Sequence, residues 1–121
     1  MKRLFVATAL FLAVMAAGAR SISYIEQTPS WIYVYDENGK KVQSLSSSHG
    51  VVVGYSSEIF ILRSNSWYYI YNADGKKIYT MTASSVGEVL SVTGDTFTSR
   101  NGAWIYTWNK NGKKLNSRPA H

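Results

Sequence analysis

Trp31-Ile32-Tyr33-Val34-Tyr35-Asp36-Glu37-Asn38-Gly39-Lys40-Lys41-Val42 is a phrase that the chain writes twice more. The second copy is Trp67-Tyr68-Tyr69-Ile70-Tyr71-Asn72-Ala73-Asp74-Gly75-Lys76-Lys77-Ile78, and the third is Trp104-Ile105-Tyr106-Thr107-Trp108-Asn109-Lys110-Asn111-Gly112-Lys113-Lys114-Leu115. The opening tryptophans stand 36 and 37 residues apart, a spacing typical of stacked or closed repeat architectures. Within Trp31 to Tyr35 alternate side chains point to opposite faces of a strand, and both sets are large and apolar or aromatic. That pattern predicts a strand covered on both faces. The Asn-Gly and Asp-Gly pairs that follow predict tight hairpins whose two central residues both take positive φ. Returning strands are then expected from Val42, Ile78 and Leu115.

The match continues upstream of each tryptophan. Tyr24, Phe60 and Phe97 precede the three tryptophans by seven residues, and Gln27, Arg63 and Arg100 by four. Between the copies, Gly50-Val51-Val52-Val53-Gly54-Tyr55 aligns with Gly87-Glu88-Val89-Leu90-Ser91-Val92, and Glu58 with Asp95 at a turn. The extra residue of the longer spacing falls in the Ser/Thr-rich loop before Gly87, where insertion costs little. A full unit therefore reads as four strands, over residues 50–56, 58–64, 67–72 and 77–82. The first unit lacks its leading strand. The result is an all-β protein of eleven short strands and about 2.75 four-stranded units, bounded near 20–48, 49–85 and 86–121.

The first nineteen residues read as a leader. Lys2 and Arg3 give a basic start, Leu4 to Ala17 an apolar run, and Ala17-Gly18-Ala19 the small-x-small pattern of a signal-peptidase site, with cleavage before Arg20. The run is shorter than the roughly 20 residues of a membrane span, and no later stretch is as long, so no membrane span is expected after cleavage. Residues 20–121 form a single domain, exported to a bacterial periplasm or the outside. With no cysteine, the domain holds together by burial and not by disulfides. Removing Lys2 and Arg3 from the 13 basic residues leaves 11 against 7 acidic ones, a net charge of +4. That charge is mild, and with export it argues against nucleic acid as a partner. Four Trp, nine Tyr and four Phe among many Val, Ser and Thr favour strands.

A Val/Leu-rich first strand, an acidic turn, a second strand, an aromatic third strand ending near an acid, then Gly-Lys and a fourth strand resemble a WD-repeat blade. Tyr35-Asp36 stands where that family has Trp-Asp, with Tyr71-Asn72 and Trp108-Asn109 as degenerate versions, and His49-Gly50 stands near its Gly-His in reversed order. Quinoprotein-like propellers share the same blade grammar. The resemblance implies a β-propeller, which closes with at least four blades, more than this chain supplies. Two chains of three blades closing a six-bladed ring, as small propeller lectins do, would satisfy it. A β-trefoil of three four-stranded units is the alternative, and a shortened relative of a larger propeller is the third.

Candidate site residues follow the repeat. Lys40-Lys41, Lys76-Lys77 and Lys113-Lys114 recur at the hairpins and would form a basic ring on one rim, able to hold phosphate- or sulfate-bearing envelope polymers or simply to protect edges. Sugar rings stack on aromatic faces, so Trp31, Trp67 and Trp104 beside Arg63 and Arg100 could make equivalent glycan pockets, although a fixed aromatic is more often core. Trp108, at a place held elsewhere by Tyr35 and Tyr71, reads as the aromatic free of a structural duty. Chemistry is thinly provided. Two histidines, His49 and His121, and no cysteine give no metal site, and no cofactor is expected. Ser44 to Ser48 beside His49 lacks a nucleophile elbow, and the acids sit at turns. The expectation is a non-enzymatic, exported binding or assembly module that self-associates and takes a glycan or envelope polymer. The alternative is a structural or vestigial module without a ligand of its own.

Overall fold

The computed structural model describes residues 21–120, so the leader read over residues 1–19, together with Arg20 and His121, lies outside the described residues. Within them eleven strands form: β1 (Ile22–Gln27), β2 (Trp31–Asp36), β3 (Lys41–Ser46), β4 (Val51–Tyr55), β5 (Ile59–Ser64), β6 (Trp67–Asn72), β7 (Lys77–Thr82), β8 (Glu88–Thr93), β9 (Thr96–Asn101), β10 (Trp104–Asn109) and β11 (Lys114–Pro119). They make three antiparallel sheets of consecutive strands, β1-β2-β3, β4-β5-β6-β7 and β8-β9-β10-β11. Among the described residues the first unit has a three-stranded sheet, one strand fewer than the other two. Each unit keeps its strands in a sheet of its own, and no closed barrel joins them among the described residues, which sets aside the trefoil. Two short helical turns were not expected: a 3-10 turn at Ser47–His49 and α1 (Ala83–Val86), one after each of the first two sheets.

The hairpins differ from the sequence expectation in type. Only their glycines take positive φ, at 77° for Gly39, 81° for Gly75 and 81° for Gly112, while Asn38, Asp74 and Asn111 do not. Gly39 N–H donates to the Asp36 carbonyl at 3.0 Å and Asp36 N–H to the Lys40 carbonyl at 2.9 Å, and the other two hairpins repeat this. This is a type I turn closed by a glycine bulge, which needs one left-handed residue where the expected turn needs two. The acid or amide ending each third strand has a local reason. Asp36 Oδ1 accepts from the N–H groups of Asn38 and Lys40 at 2.9 and 3.0 Å, and Asn72 and Asn109 do the same in their turns. A side chain that accepts from its own turn fixes it in the manner of an Asx turn.

The sheets stack through two cores. Ile22, Ile25, Ile32 and Val34 of the first sheet meet Phe60, Leu62, Tyr71 and Ala73 of the second. On the other side of that second sheet, Ile59, Ile61, Tyr68, Ile70 and Met81 meet Phe97 and Trp108 of the third, with Ala83 and Val86 of α1 closing the end. Burial on both faces therefore belongs to the middle sheet, where β5 buries four successive residues. In β2 burial alternates, because nothing among the described residues covers the far face of the first sheet. An aromatic rung joins the hairpin-ending strand of every sheet to the strand before it: Tyr24 on Tyr35, Phe60 on Tyr71, and Phe97 on Trp108, with ring centroids 6.0, 5.0 and 6.2 Å apart.

Candidate functional site

Each third strand begins at its tryptophan and ends at its hairpin, so the two ends of a sheet carry different chemistry. Trp67 pairs with Ser64 and Thr82 at one end, whereas Tyr71 pairs with Lys77 at the other. Four residues of strand separate them, about 13 Å. The lysine pairs and the tryptophans thus occupy opposite rims, and the lysines join no pocket with Arg63 or Arg100. The second lysine of each pair lies over a tyrosine of its own sheet: Lys41 Nζ is 3.9 Å from the Tyr33 ring centroid, Lys77 Nζ 4.5 Å from Tyr69 and Lys114 Nζ 3.9 Å from Tyr106. These cation–π contacts account for Lys41, Lys77 and Lys114 locally. The first of each pair, Lys40, Lys76 and Lys113, is exposed, with its backbone held in the turn.

The aromatic roles are the reverse of those expected. Trp108 is buried at 7% exposure, and its indole N–H donates to Ser99 Oγ at 2.9 Å, a hydroxyl with no exposure of its own. Trp108 is core, because its alternation parity points it at the middle sheet. The repeated tryptophans are not core: Trp31, Trp67 and Trp104 are 45%, 44% and 46% exposed. Standing first in their strands, they reach the rim beyond the edge of the stacked faces.

Arg63 and Trp67 do come together. They share a groove of about 410 Å³ with Ser66, Thr82, Ala83, Ser84 and Gly87, at the junction of the second and third units. Trp67 also borders a second hollow of about 370 Å³, lined by Tyr79, Thr80, Met81, Thr82, Ser85 and the edge of Trp108. Both hollows bring hydroxyls beside the exposed indole. The segment after β7 builds the wall: Ala83 N–H donates to the Ser66 carbonyl at 2.7 Å, and Asn101 Nδ2 of the third sheet donates to the carbonyls of Ser84 and Ser85 at 2.9 and 3.2 Å. Tyr68, 2% exposed, donates its hydroxyl proton to the Gly87 carbonyl at 2.7 Å across the same junction. Its Ser/Thr content and the alignment of Gly87 with Gly50 are the faint signs of this wall in the sequence.

Arg100 repeats the posture of Arg63. Its Nε donates to the Gly102 carbonyl as Arg63 Nε does to the Asn65 carbonyl, both at 3.2 Å. Gln27 departs from it. Its amide donates to the Gly50 carbonyl at 3.0 Å and accepts from Val52 N–H at 2.9 Å, tying the first sheet to the second. The serines beside His49 are engaged locally: Ser47 Oγ donates to the Pro29 carbonyl at 2.6 Å, and Ser46 and Ser48 hydroxyls pair at 2.9 Å. His49 Nδ1 lies 3.0 Å from the Ser46 carbonyl. Among the described residues no group of three His, Asp or Glu could hold a metal ion, and no helix is long and apolar enough to cross a membrane.

No protein-family model and no curated protein matches the chain. Among solved structures, it is similar to a protein of unknown function from Bacteroides caccae, with a TM-score of 0.49 and 10% identity, over 81% of this chain and 39% of that one. The chain thus spans well under half the length of that protein.

Proposed function

We propose that the protein is an exported, non-enzymatic glycan-binding module built of propeller-type blades, with the repeated rim tryptophans as stacking platforms. The observation that carries this reading is the exposure of Trp31, Trp67 and Trp104 at equivalent places, at 45%, 44% and 46%. Leaving three large aromatic faces in water at matched positions has no folding benefit, while a pyranose ring offers an apolar face to stack and hydroxyls for the Ser and Thr groups beside Trp67. The blade reading is supported by the order of four antiparallel strands in each complete unit and by the face-to-face succession of sheets, which is also what the WD-repeat resemblance implies. Binding by the lysine rim is the weaker reading, since half of those ammonium groups sit on tyrosines.

Self-association to close a ring would have to use the outer faces of the first and third sheets. Those faces carry Tyr24, Glu26, Tyr33 and Tyr35 on one side and Thr98, Arg100, Ile105 and Thr107 on the other, by the strand registers. The test is a titration of intrinsic tryptophan fluorescence with a panel of oligosaccharides. A saturable change that Trp67→Ala removes, and that persists in raised salt, is the expected result. A flat response across the panel would leave the structural module as the better description. Mass spectrometry of the protein recovered outside the cytoplasm, with Arg20 as its first residue, tests export.

A further inference from the structure

Arg63 is the one charged side chain on the groove beside Trp67, and it is held in place. Its Nε donates to the Asn65 carbonyl at 3.2 Å, its Nη1 lies 3.5 Å from the Tyr68 hydroxyl, and its guanidinium carbon stands 5.4 Å from the Tyr68 ring centroid. Tyr68 is itself buried and anchored to Gly87, so the guanidinium rests on a rigid support. Both acceptors are neutral. A guanidinium has five N–H donors in a planar fork suited to a carboxylate or a sulfate, and those two contacts leave most of the fork unspent.

The other units lack this arrangement. The place of Tyr68 is taken by Ile32 in the first unit and Ile105 in the third, and neither can receive a guanidinium N–H. In the first unit the place of Arg63 is taken by Gln27, whose amide is committed in both directions to Gly50 and Val52. Among the described residues, an exposed indole, a cation braced on a tyrosine and a walled groove come together in the second unit.

We infer that the Trp67 groove is a site for an acidic sugar, a uronate or sulfate-ester residue of a glycan, with its ring stacked on Trp67 and its anionic group on the Arg63 fork. This rests on the glycan-binding reading and narrows it to one junction and one ligand charge. Charge-assisted, two-point contacts of this kind are the strong ones, and they separate acidic from neutral sugars where stacking alone does not.

The experiment is isothermal titration of the full chain with three probes: a neutral glucan hexamer, an oligogalacturonate of similar length, and a sulfated galactan oligomer. Arg63→Gln, Arg63→Lys and Trp67→Ala are titrated alongside, each checked for an unchanged melting temperature. Gln already serves at the equivalent place in the first unit, so Arg63→Gln is compatible with the fold. The expected result is that one or both acidic probes bind at least about tenfold more tightly than the glucan. Arg63→Gln erases that preference while keeping the weak neutral binding, Arg63→Lys restores it in part, and Trp67→Ala loses both. Which acidic probe binds identifies carboxylate or sulfate as the anion. Equal binding of neutral and acidic probes, or a preference that survives Arg63→Gln, overturns this inference and leaves glycan binding standing. No binding of any probe overturns both.

Discussion

One position of the repeat is filled in three ways, and the filling follows what covers it. In the middle sheet Leu62 lies on the same face as the Phe60–Tyr71 rung, under the first sheet. In the third sheet the equivalent Ser99 lies beside Trp108 under the middle sheet, and the indole N–H satisfies its hydroxyl. In the first sheet the equivalent Glu26 accepts from the Tyr35 hydroxyl at 3.3 Å on a face that none of the described residues covers. The opposite end of the stack behaves alike. Where the middle sheet pairs Ile61 with Ile70 in its core, the third sheet pairs Thr98 with Thr107 on its outer face. Backbone geometry is shared by the three units, while side-chain polarity records position in the stack.

The sharpest way to break this comparison is to truncate the same rung in a covered and an uncovered sheet. Phe60 is wholly buried and Tyr24 is 52% exposed. Phe60→Ala removes a packed ring and leaves a cavity, at a cost of about 3–5 kcal/mol. Tyr24→Ala removes a ring already half in water and should cost under about 1 kcal/mol. Urea unfolding measures both, and equal losses would mean that something covers the first sheet in solution.

Glycines extend the comparison to the backbone. Gly87 has φ of +85°, and a Cβ there would meet the Arg100 carbonyl oxygen, which is main chain and cannot swing aside. Gly39 has a similar φ of +77° but open space around it. Gly87→Ala adds collision to strain, roughly 2–4 kcal/mol, whereas Gly39→Ala carries the strain alone, about 1 kcal/mol. The difference between the two melting temperatures isolates the close approach of Gly87 to β9 within the third sheet.

Much of this was legible beforehand, and the errors have a pattern. The period, the all-β class, the three-four-four grouping and the strand limits of β6 and β7 follow from alternation and turn residues, which act locally. The exchange of roles between Trp108 and the three repeated tryptophans was not legible. Alternation says that Trp104 and Trp108 share a face, but it does not say how far along the strand the neighbouring sheet reaches. Only stacking decides that the end of the strand stays wet. Likewise Arg63 stands out in the repeat, yet its brace is Tyr68 on the paired strand β6, and the wall at Ala83 to Gly87 is a single helical turn, too short to leave a periodic signature.

The Trp108–Ser99 pair offers a finer test of polarity under cover. Trp108→Phe keeps an aromatic rung on Phe97 but leaves the Ser99 hydroxyl without its donor in a site closed to water. The expected cost is roughly 1–3 kcal/mol. Adding Ser99→Ala to that variant should recover part of it, because the orphaned hydroxyl is gone. Additive losses in this cycle would show that the hydrogen bond contributes nothing beyond volume.

The smallest effect separates covered from exposed phenols by pH. Burial, and then the neighbouring Tyr69, raises the Tyr71 pKa above its ordinary 10.0. Tyr71 therefore keeps its proton in the folded protein at a pH where the unfolded chain has begun to release it. By linkage its contribution is fully present below pH 10 and is lost as pH rises from there toward the folded value. Stability should accordingly decline more steeply above pH 10 in the parent than in Tyr71→Phe, with the two curves parallel near neutrality. Parallel curves throughout would mean that the ring is less enclosed by the first sheet than its 4% exposure indicates.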